Sequence, residues 1–353
     1  MKVGSSKVCY RNHGTGRNLG AVLAIAAVIT TLSLAPSTAG ADSCPNTIVA
    51  CCTIAASGAY TLANNLSANG GCIDVTAPNV DLNLAGFSIA NVGAPGTGIG
   101  IHVLSSAPNT VILGASPITS TTPLITKFNT GVRSDASNVA VVNLRSNRNN
   151  QGVVFNGRSN LALRVTANSN TNVGIQLNVD AATHKNATGD AVVQTSASMN
   201  SGNGIVLNGA NSTFIFHVSA NSNNNFGIWL NGASGNHLNR FITELNGNGG
   251  VYLGCHPSGP TGSVCPTNSM GNDMVGNKLN DPTTDSDVNG NTNFGVAIEI
   301  GSQRNHVAGV AGAGNPTNSD AIDENPGCGN DVWVGNSFTS TTPALNTTPI
   351  CIN

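Results

Sequence analysis

The stretch Asn223-Asn224-Asn225-Phe226-Gly227-Ile228-Trp229-Leu230-Asn231 contains the phrase that decides the fold: an Asn, three residues, a Gly, aliphatic residues at every other position, and a closing Asn. The phrase recurs around Gly131, Gly152, Gly174, Gly204, Gly227, Gly250 and Gly295, mostly at intervals of 21 to 23 residues, with one of 30 and one of 45 that carry insertions. Asn170, Asn200, Asn223, Asn246 and Asn291 stand four residues before their Gly. Asn156, Asn178, Asn208 and Asn231 stand four residues after theirs. A period of this length predicts stacked supersecondary units, each burying itself against its neighbours.

The remainder of the composition agrees with one continuous all-β domain. Only 8% of the 353 residues are charged and 42 are Gly, a balance suited to tight corners rather than amphipathic helices. Ile73 and Val75, then Val80, Leu82 and Leu84, then Ile99, Ile101 and Val103, and Val111 with Leu113, alternate with the period of strands. The Asn columns have a physical reading: a stacked amide donates to one turn and accepts from the next, and Asn tolerates left-handed corners. Ile175/Leu177, Ile205/Leu207, Ile228/Leu230 and Val251/Leu253 are expected to point inward as aliphatic columns.

Residues 1–41 read as an export signal: Lys2, Lys7, Arg11 and Arg17 precede an apolar run from Leu19 to Leu34, and Ala39-Gly40-Ala41 offers a small-residue cleavage site. No later apolar run approaches the roughly 20 residues that span a bilayer. All sixteen acidic residues but only ten of the fourteen basic ones lie beyond this leader, which argues against a nucleic-acid partner. Eight cysteines also lie beyond it, and an even number in an exported chain predicts disulfides. Locality favours Cys255 with Cys265 and Cys328 with Cys351. At the N-terminal end, where neighbouring Cys51 and Cys52 are strained partners for each other, Cys52 is expected to pair with Cys72 and Cys44 with Cys51. A zinc site at Cys255, His256 and Cys265 fits no usual ligand spacing.

The repeated Gly-Ile-x-Leu-Asn segments resemble the turns of right-handed parallel β-helices of the pectate-lyase-like superfamily. The resemblance covers nearly all the chain beyond the leader. Cys72-Ile73-Asp74-Val75 and Asn79 to Ile89 are similar to the opening coils of secreted bacterial members, and Cys328-Gly329-Asn330-Asp331-Val332-Trp333, followed by Asn336 and Cys351-Ile352, to their closing segment. The organisation this implies is a leader at 1–41, an N-terminal cap at 42–71 and a β-helix over 72–353 with a disulfide-linked closing segment. The superfamily contains lyases, epimerases, glycosidases and adhesins, so the resemblance implies architecture rather than activity.

Chemistry is sought at positions that break the repeat. Two residues after each Gly come Arg133, Val154, Gln176, Val206, Trp229, Tyr252 and Ala297. Six before each Asn come Arg164, Gln194, His217, Arg240 and Asp285. Leu163/Val165, Val193/Thr195 and Phe216/Val218 flank the first three of the second row, and alternation is expected to turn the polar residue between them outward. A lyase or epimerase needs a neutraliser for a substrate carboxylate and a base for the adjacent proton, roles open to Arg164 or Arg240 and to His217. Trp229 and Tyr252, with Gln176 and Gln194, are candidates for holding sugar rings. Asp281, Asp285 and Asp287 could supply the paired carboxylates of a glycosidase. Thr283 stands where the Asp-Pro-His motif of mannuronan epimerases has His, and the paired-aspartate and Gly-His-Gly signatures of pectin hydrolases are absent. Asp180, His184, Lys185 and Asp190 form a further group in the 30-residue turn. Asp320, Asp323 and Glu324 could turn the chain or take calcium; no other cofactor is indicated.

The expectation is an exported or envelope protein that binds carbohydrate, a polysaccharide or cell-surface glycan, or interacts at a surface, with no catalysis established by the sequence. The alternatives are a lyase or epimerase acting on uronic-acid polymers through Arg164, His217 and Arg240, and a structural or adhesive envelope protein.

Overall fold

The computed structural model describes residues 43–114, 122–178, 188–254, 272–275, 286–299, 302–315, 319–325, 328, 330–339, 341–343 and 352. The leader, Asp180, His184, Lys185, Cys255, Cys265, Asp281, Asp285 and Cys351 lie outside them. Among the described residues there is no α-helix.

Each coil contributes to three faces, and every strand pairing is parallel. Sheet A runs from Cys52–Ile54 to Thr341–Pro343 and includes the Gly-phrase strands Gln151–Phe155, Val173–Asn178, Ile205–Asn208, Phe226–Asn231, Gly249–Leu253 and Phe294–Ile298. Sheet B follows in each coil, with Val111–Leu113, Ala140–Val142, Leu161–Leu163, Ala191–Val193, Phe214–Ser219 and His237–Ile242 among its strands. Face C begins with Leu66–Ala68, Ile89–Asn91, Leu124–Thr126 and Arg145–Ser146, then continues through single bridges from Arg145 to Thr166, Ser196 and Ser219. The expected cap region contributes Thr47–Ile48 and Gly58–Leu62 to sheet B, Cys52–Ile54 to sheet A and Leu66–Ala68 to face C, so the coiling starts there.

The register makes the aliphatic columns literal. Ile175, Ile205, Ile228, Val251 and Val296 pair in succession, as do Leu177, Leu207, Leu230, Leu253 and Ile298, and all ten are fully buried. Behind sheet A runs the expected amide ladder. Asn200 donates its backbone N–H and its Nδ2 to Asn223 Oδ1, both at 3.0 Å, and Asn223 donates to Asn246 Oδ1 at 2.9 and 3.0 Å. Asn170 and Asn246 repeat the pattern toward Asn200 and Asn291. The Gly of the phrase is required by this closeness rather than by its dihedral angles: a Cβ at Gly204 would fall 2.6 Å from Gly227 O and 2.8 Å from Asn223 Nδ2. The second Asn column, Asn156, Asn178, Asn208 and Asn231, forms a ladder of opposite polarity, each amide donating to the preceding coil.

A further ladder lies before sheet B. Asn236 donates to Asn272 and Asn272 to Asn305, each through N–H and Nδ2. The ladder is broken where an acid and a Thr replace Asn. Asn160 N–H donates to Asp190 Oδ1 at 2.7 Å, yet Asn160 Nδ2, Asp190 Oδ2 and Thr213 Oγ1 are buried without hydrogen-bond partners. Burial pushes the Asp190 carboxyl up to about 7 despite the hydrogen bond from the Asn160 N–H. Asp190 is thus a buried rung, not part of a surface group with His184 and Lys185.

The N-terminal disulfides correct one expectation. Cys44 pairs with Cys52 and Cys51 with Cys72, rather than Cys52 with Cys72 and Cys44 with Cys51. Strand pairing explains the exchange: Cys52 stands opposite Ile73, so Cys51 stands opposite Cys72 one coil away, at a Cα–Cα distance of 4.5 Å. Cys328 is disulfide-bonded, and its expected partner Cys351 lies outside the described residues.

Two outcomes follow for stability. Asn223→Ala strands both donors of Asn200 and removes one of the two donors to Asn246 Oδ1, so denaturation should show a loss of about 2–3 kcal/mol, against under about 1 kcal/mol for Asn178→Ala in the part-exposed ladder. Asp190→Asn tests the broken rung. The folded carboxyl keeps its proton until about 7 while the unfolded one releases it near 3.8, so native stability falls as pH rises through that window, by a few kcal/mol at most. Melting curves of Asp190→Asn should therefore gain over the wild type increasingly from about pH 4 to about pH 7 and level off above it, and a pH-independent difference would contradict the raised carboxyl.

Candidate functional site

The outward row on sheet A has the predicted register. Arg133, Val154, Gln176, Val206, Trp229, Tyr252 and Ala297 pair in unbroken succession across seven coils. Gln176 accepts from Gln151 Nε2 at 2.9 Å and donates to Asn178 Oδ1 at 2.7 Å. Trp229 donates its indole N–H to Gly254 O at 2.9 Å. Phe226 stacks on Tyr252 with centroids 4.8 Å apart, and Phe294 closes the cluster. Burial, with the neighbouring Glu299 carboxylate that accepts the phenol, holds the Tyr252 hydroxyl far above its ordinary pKa.

The same row extends toward the N-terminus into a polar group that the sequence reading missed. Asp74, His102 and Arg133 pair across three coils. His102 Nε2 lies 2.8 Å from Asp135 Oδ2, and its Nδ1 lies 3.8 Å from Asp74. Arg133 Nε and Asn156 Nδ2 both donate to Asp135 Oδ1, at 2.9 and 2.6 Å. Burial alone would raise this carboxyl, but the bonds from His102, Asn156 and Arg133 outweigh it and hold Asp135 well below the ordinary carboxylate range. The signal was available: His102 follows Gly100 by two residues, as Arg133 follows Gly131.

The second row lies elsewhere, at the bend between sheet B and face C. Asn143, Arg164, Gln194, His217 and Arg240 share a left-handed backbone there, with φ of 51 to 55°. Each of the first three donates its backbone N–H to the next coil, reaching Leu163, Val193 and Phe216 carbonyls. Arg164 Nε donates to Gln194 Oε1 at 3.0 Å, and Arg240 sits over the Phe216 ring with Cζ 5.4 Å from its centroid. Arg164, Gln194 and His217 line an open groove of about 440 Å³ together with Thr166, Ser196 and Ser219 from face C. Arg240 is not among its lining residues.

Their outward direction arises from that bend, not from the alternation expected. Val165 and Val218 enter the interior core, but Leu163, Val193 and Phe216 lie in a separate apolar cluster on the outer side of sheet B. Val111/Leu113, Ala140/Val142, Leu161/Leu163, Ala191/Val193 and Phe214/Phe216 form two columns there over five coils, while Ile112, Val141, Ala162, Val192 and Ile215 fill the interior. A parallel strand apolar on both faces reads as a continuous run, which concealed this stripe in the sequence. The stripe ends in stacked aromatics: Phe214 lies 5.7 Å from Phe216 and 5.5 Å from His237, with ring planes within 11°.

The structure therefore does not unite all the candidates. Arg164, Gln194 and His217 border one groove beside the apolar stripe. Gln176, Trp229 and Tyr252 are on sheet A, with sheet B intervening along each coil, and none of them lines that groove. The closing acids serve the chain itself. Asp323 accepts from Trp333 Nε1 at 3.0 Å and from Asn325, while Asp320 accepts from Thr339 and Asn315. Both are fully buried, and among the described residues no group of three or more His, Cys, Asp or Glu is arranged to hold a metal.

No protein-family model matches the sequence, and no curated protein matches it. Solved structures do share the coil. The periplasmic alginate epimerase AlgG aligns with a TM-score of 0.55 at 13% identity, over 73% of this chain and 61% of that one. The A-module of the mannuronan C-5 epimerase AlgE4 from Azotobacter vinelandii aligns with a TM-score of 0.48 at 10% identity, over 87% and 91%. The chain thus spans about three fifths of AlgG, and the likeness is one of fold. With every sheet parallel and buried amide ladders joining coil to coil, the fold of this chain is a parallel β-helix.

Proposed function

We propose that the protein binds an extended polysaccharide along the outer side of sheet B. The observation that carries this reading is a pairing repeated once per coil: Leu163 with Arg164, Val193 with Gln194, and Phe216 with His217, an apolar side chain followed by a polar group at the groove edge. Successive coils are about 4.8 Å apart, so the surface offers a periodic apolar bed bordered by a periodic polar rail. The two demands of a sugar polymer, a weakly polar ring face and a dense rim of hydroxyls or carboxylates, are matched by that combination. Val193 is buried in the stripe while Leu163 and Phe216 are half-buried, so a polymer meets the bed chiefly through those two side chains. Arg164 and Arg240, at either end of the row, favour a polymer bearing carboxylates. The fold's likeness to an alginate epimerase supports the same class of partner. The disulfides fit an oxidising compartment outside the cytosol.

Catalysis is the second reading, favoured by one observation: Arg164 and His217 line the same groove, two coils apart with Gln194 between them. In that reading Arg164 neutralises a uronate carboxylate and His217 removes the adjacent proton, with Arg240 behind Phe216 as a further cation.

Affinity gels containing uronic or neutral polysaccharides, run alongside an ultraviolet assay for unsaturated product, separate these readings. Binding without product, weakened about tenfold by Arg164→Ala and by Phe216→Ala, is the expected result. Product formation lost in His217→Ala would replace it with the lyase reading. Retardation by no polymer in a broad panel, or retardation indifferent to both substitutions, would remove the sheet B assignment.

A further inference from the structure

The aromatic cluster on sheet A has a charge character opposite to that of the groove at the bend between sheet B and face C, which Arg164 and His217 line. Leu253 pairs with Ile298 and Ile298 with Asp323, which brings Gly254, Glu299 and Glu324 into line just beyond the strands. The backbone confirms the alignment, since Glu299 N–H donates to Leu253 O at 2.9 Å and Glu324 N–H to Ile298 O at 3.0 Å. Alternation puts both carboxylates on the same side as Tyr252, Ala297 and Ile322. Glu299 accepts the Tyr252 phenol, and both acids act to keep that phenol protonated. From Val173 onward no Lys or Arg occurs in the sheet A strands. Glu324 is exposed, Glu299 and the rings of Trp229 and Tyr252 are half-buried, and Phe226 and Phe294 support the rings from within the cluster.

We propose that this face is a second glycan site, selective for a polysaccharide whose sugars carry free amines. The Trp229 and Tyr252 rings present apolar surface to a pyranose face. Their polar edges are fixed, the indole by Gly254 O and the phenol by Glu299, so little side-chain freedom is lost on binding. Exposed Glu324 pairs with an ammonium group on the bound chain, while Glu299 one coil away, with Oε2 buried and the Tyr252 phenol on its carboxylate, adds its negative charge, and together they repel uronate carboxylates. The two sides of the coil then sort polymers by opposite charge, which would let one molecule hold an amino-sugar chain and an acidic chain together. This site involves no residue of the apolar stripe or of the groove at the bend beside it, and stands or falls separately from them.

Trp229 supplies the readout. The chain has two Trp, and Trp333 is buried with its N–H on Asp323, so a ligand-dependent change in emission reports Trp229. The full chain would be titrated with a short β-linked glucosamine oligomer at mildly acidic pH, where its amines are charged, and with a uronic-acid oligomer of equal length. The glucosamine oligomer should shift the emission, with affinity falling roughly threefold to tenfold in Glu324→Gln and at raised salt, and unchanged in Arg164→Ala. Three results would overturn the proposal: no shift with the glucosamine oligomer, wild-type affinity in both Glu324→Gln and Glu299→Gln, or an equal shift with the uronic oligomer. Circular dichroism identifies a variant that fails to fold, and Glu324→Gln, at an exposed position, keeps the test available if Glu299→Gln does so.

Discussion

The amide-to-amide contact between consecutive coils is the constraint on which the rest of the structure depends. A buried Asn in the ladder behind sheet A must accept from one coil and donate to the next, which holds both coils at strand spacing and in one register. The same contact dictates Gly at the following corner, because the Asn223 amide occupies the space a Cβ at Gly204 would need. It also aligns everything outside the core. Once Asn200, Asn223 and Asn246 are stacked, Val206, Trp229 and Tyr252 have no choice but to stand in one outward line.

Where the ladder chemistry departs from Asn, the coil persists at a local cost. Asp190 can receive the backbone N–H of Asn160 but, when ionised, can donate nothing onward, and Thr213 is too short to restore the chain of amides. The remaining coils over-determine the position, so the carboxyl changes its protonation instead of the backbone changing its path. At the other end Asp320 and Asp323 are used differently: each collects several donors and closes the last described coils.

A continuous scaffold allows different faces to carry different chemistry. The outer side of sheet B joins an apolar stripe to a row of Arg, Gln and His held at a left-handed bend. The outer side of sheet A passes from the Asp74/His102/Arg133 group to an aromatic cluster flanked by Glu299 and Glu324. Neither surface disturbs the interior, since alternation turns the sheet A row outward and the left-handed bend turns out the row beside sheet B. Function on such a coil is therefore a matter of which columns share a face, and columns are set by register.

By itself the sequence determined the repeat, the inward columns and the outward row from Arg133 to Ala297, because amide stacking and period-two alternation are local rules that recur in every turn. The same ruler, extended to Gly100, would have found His102. Three features needed the tertiary structure. The pairing of Cys51 with Cys72 follows from which residues face each other across coils: their separation of 21 is one coil, but the Gly phrase that serves as the ruler is absent from these first coils. The stripe from Val111 to Phe216 was hidden because strands apolar on both faces lose the alternation that distinguishes inside from outside. And only the closure of the coil decided that Arg164, Gln194 and His217 share a groove while Trp229 and Tyr252 stand on another face, because three sheets meeting at bends convert positions in a linear repeat into separate sides of a solid.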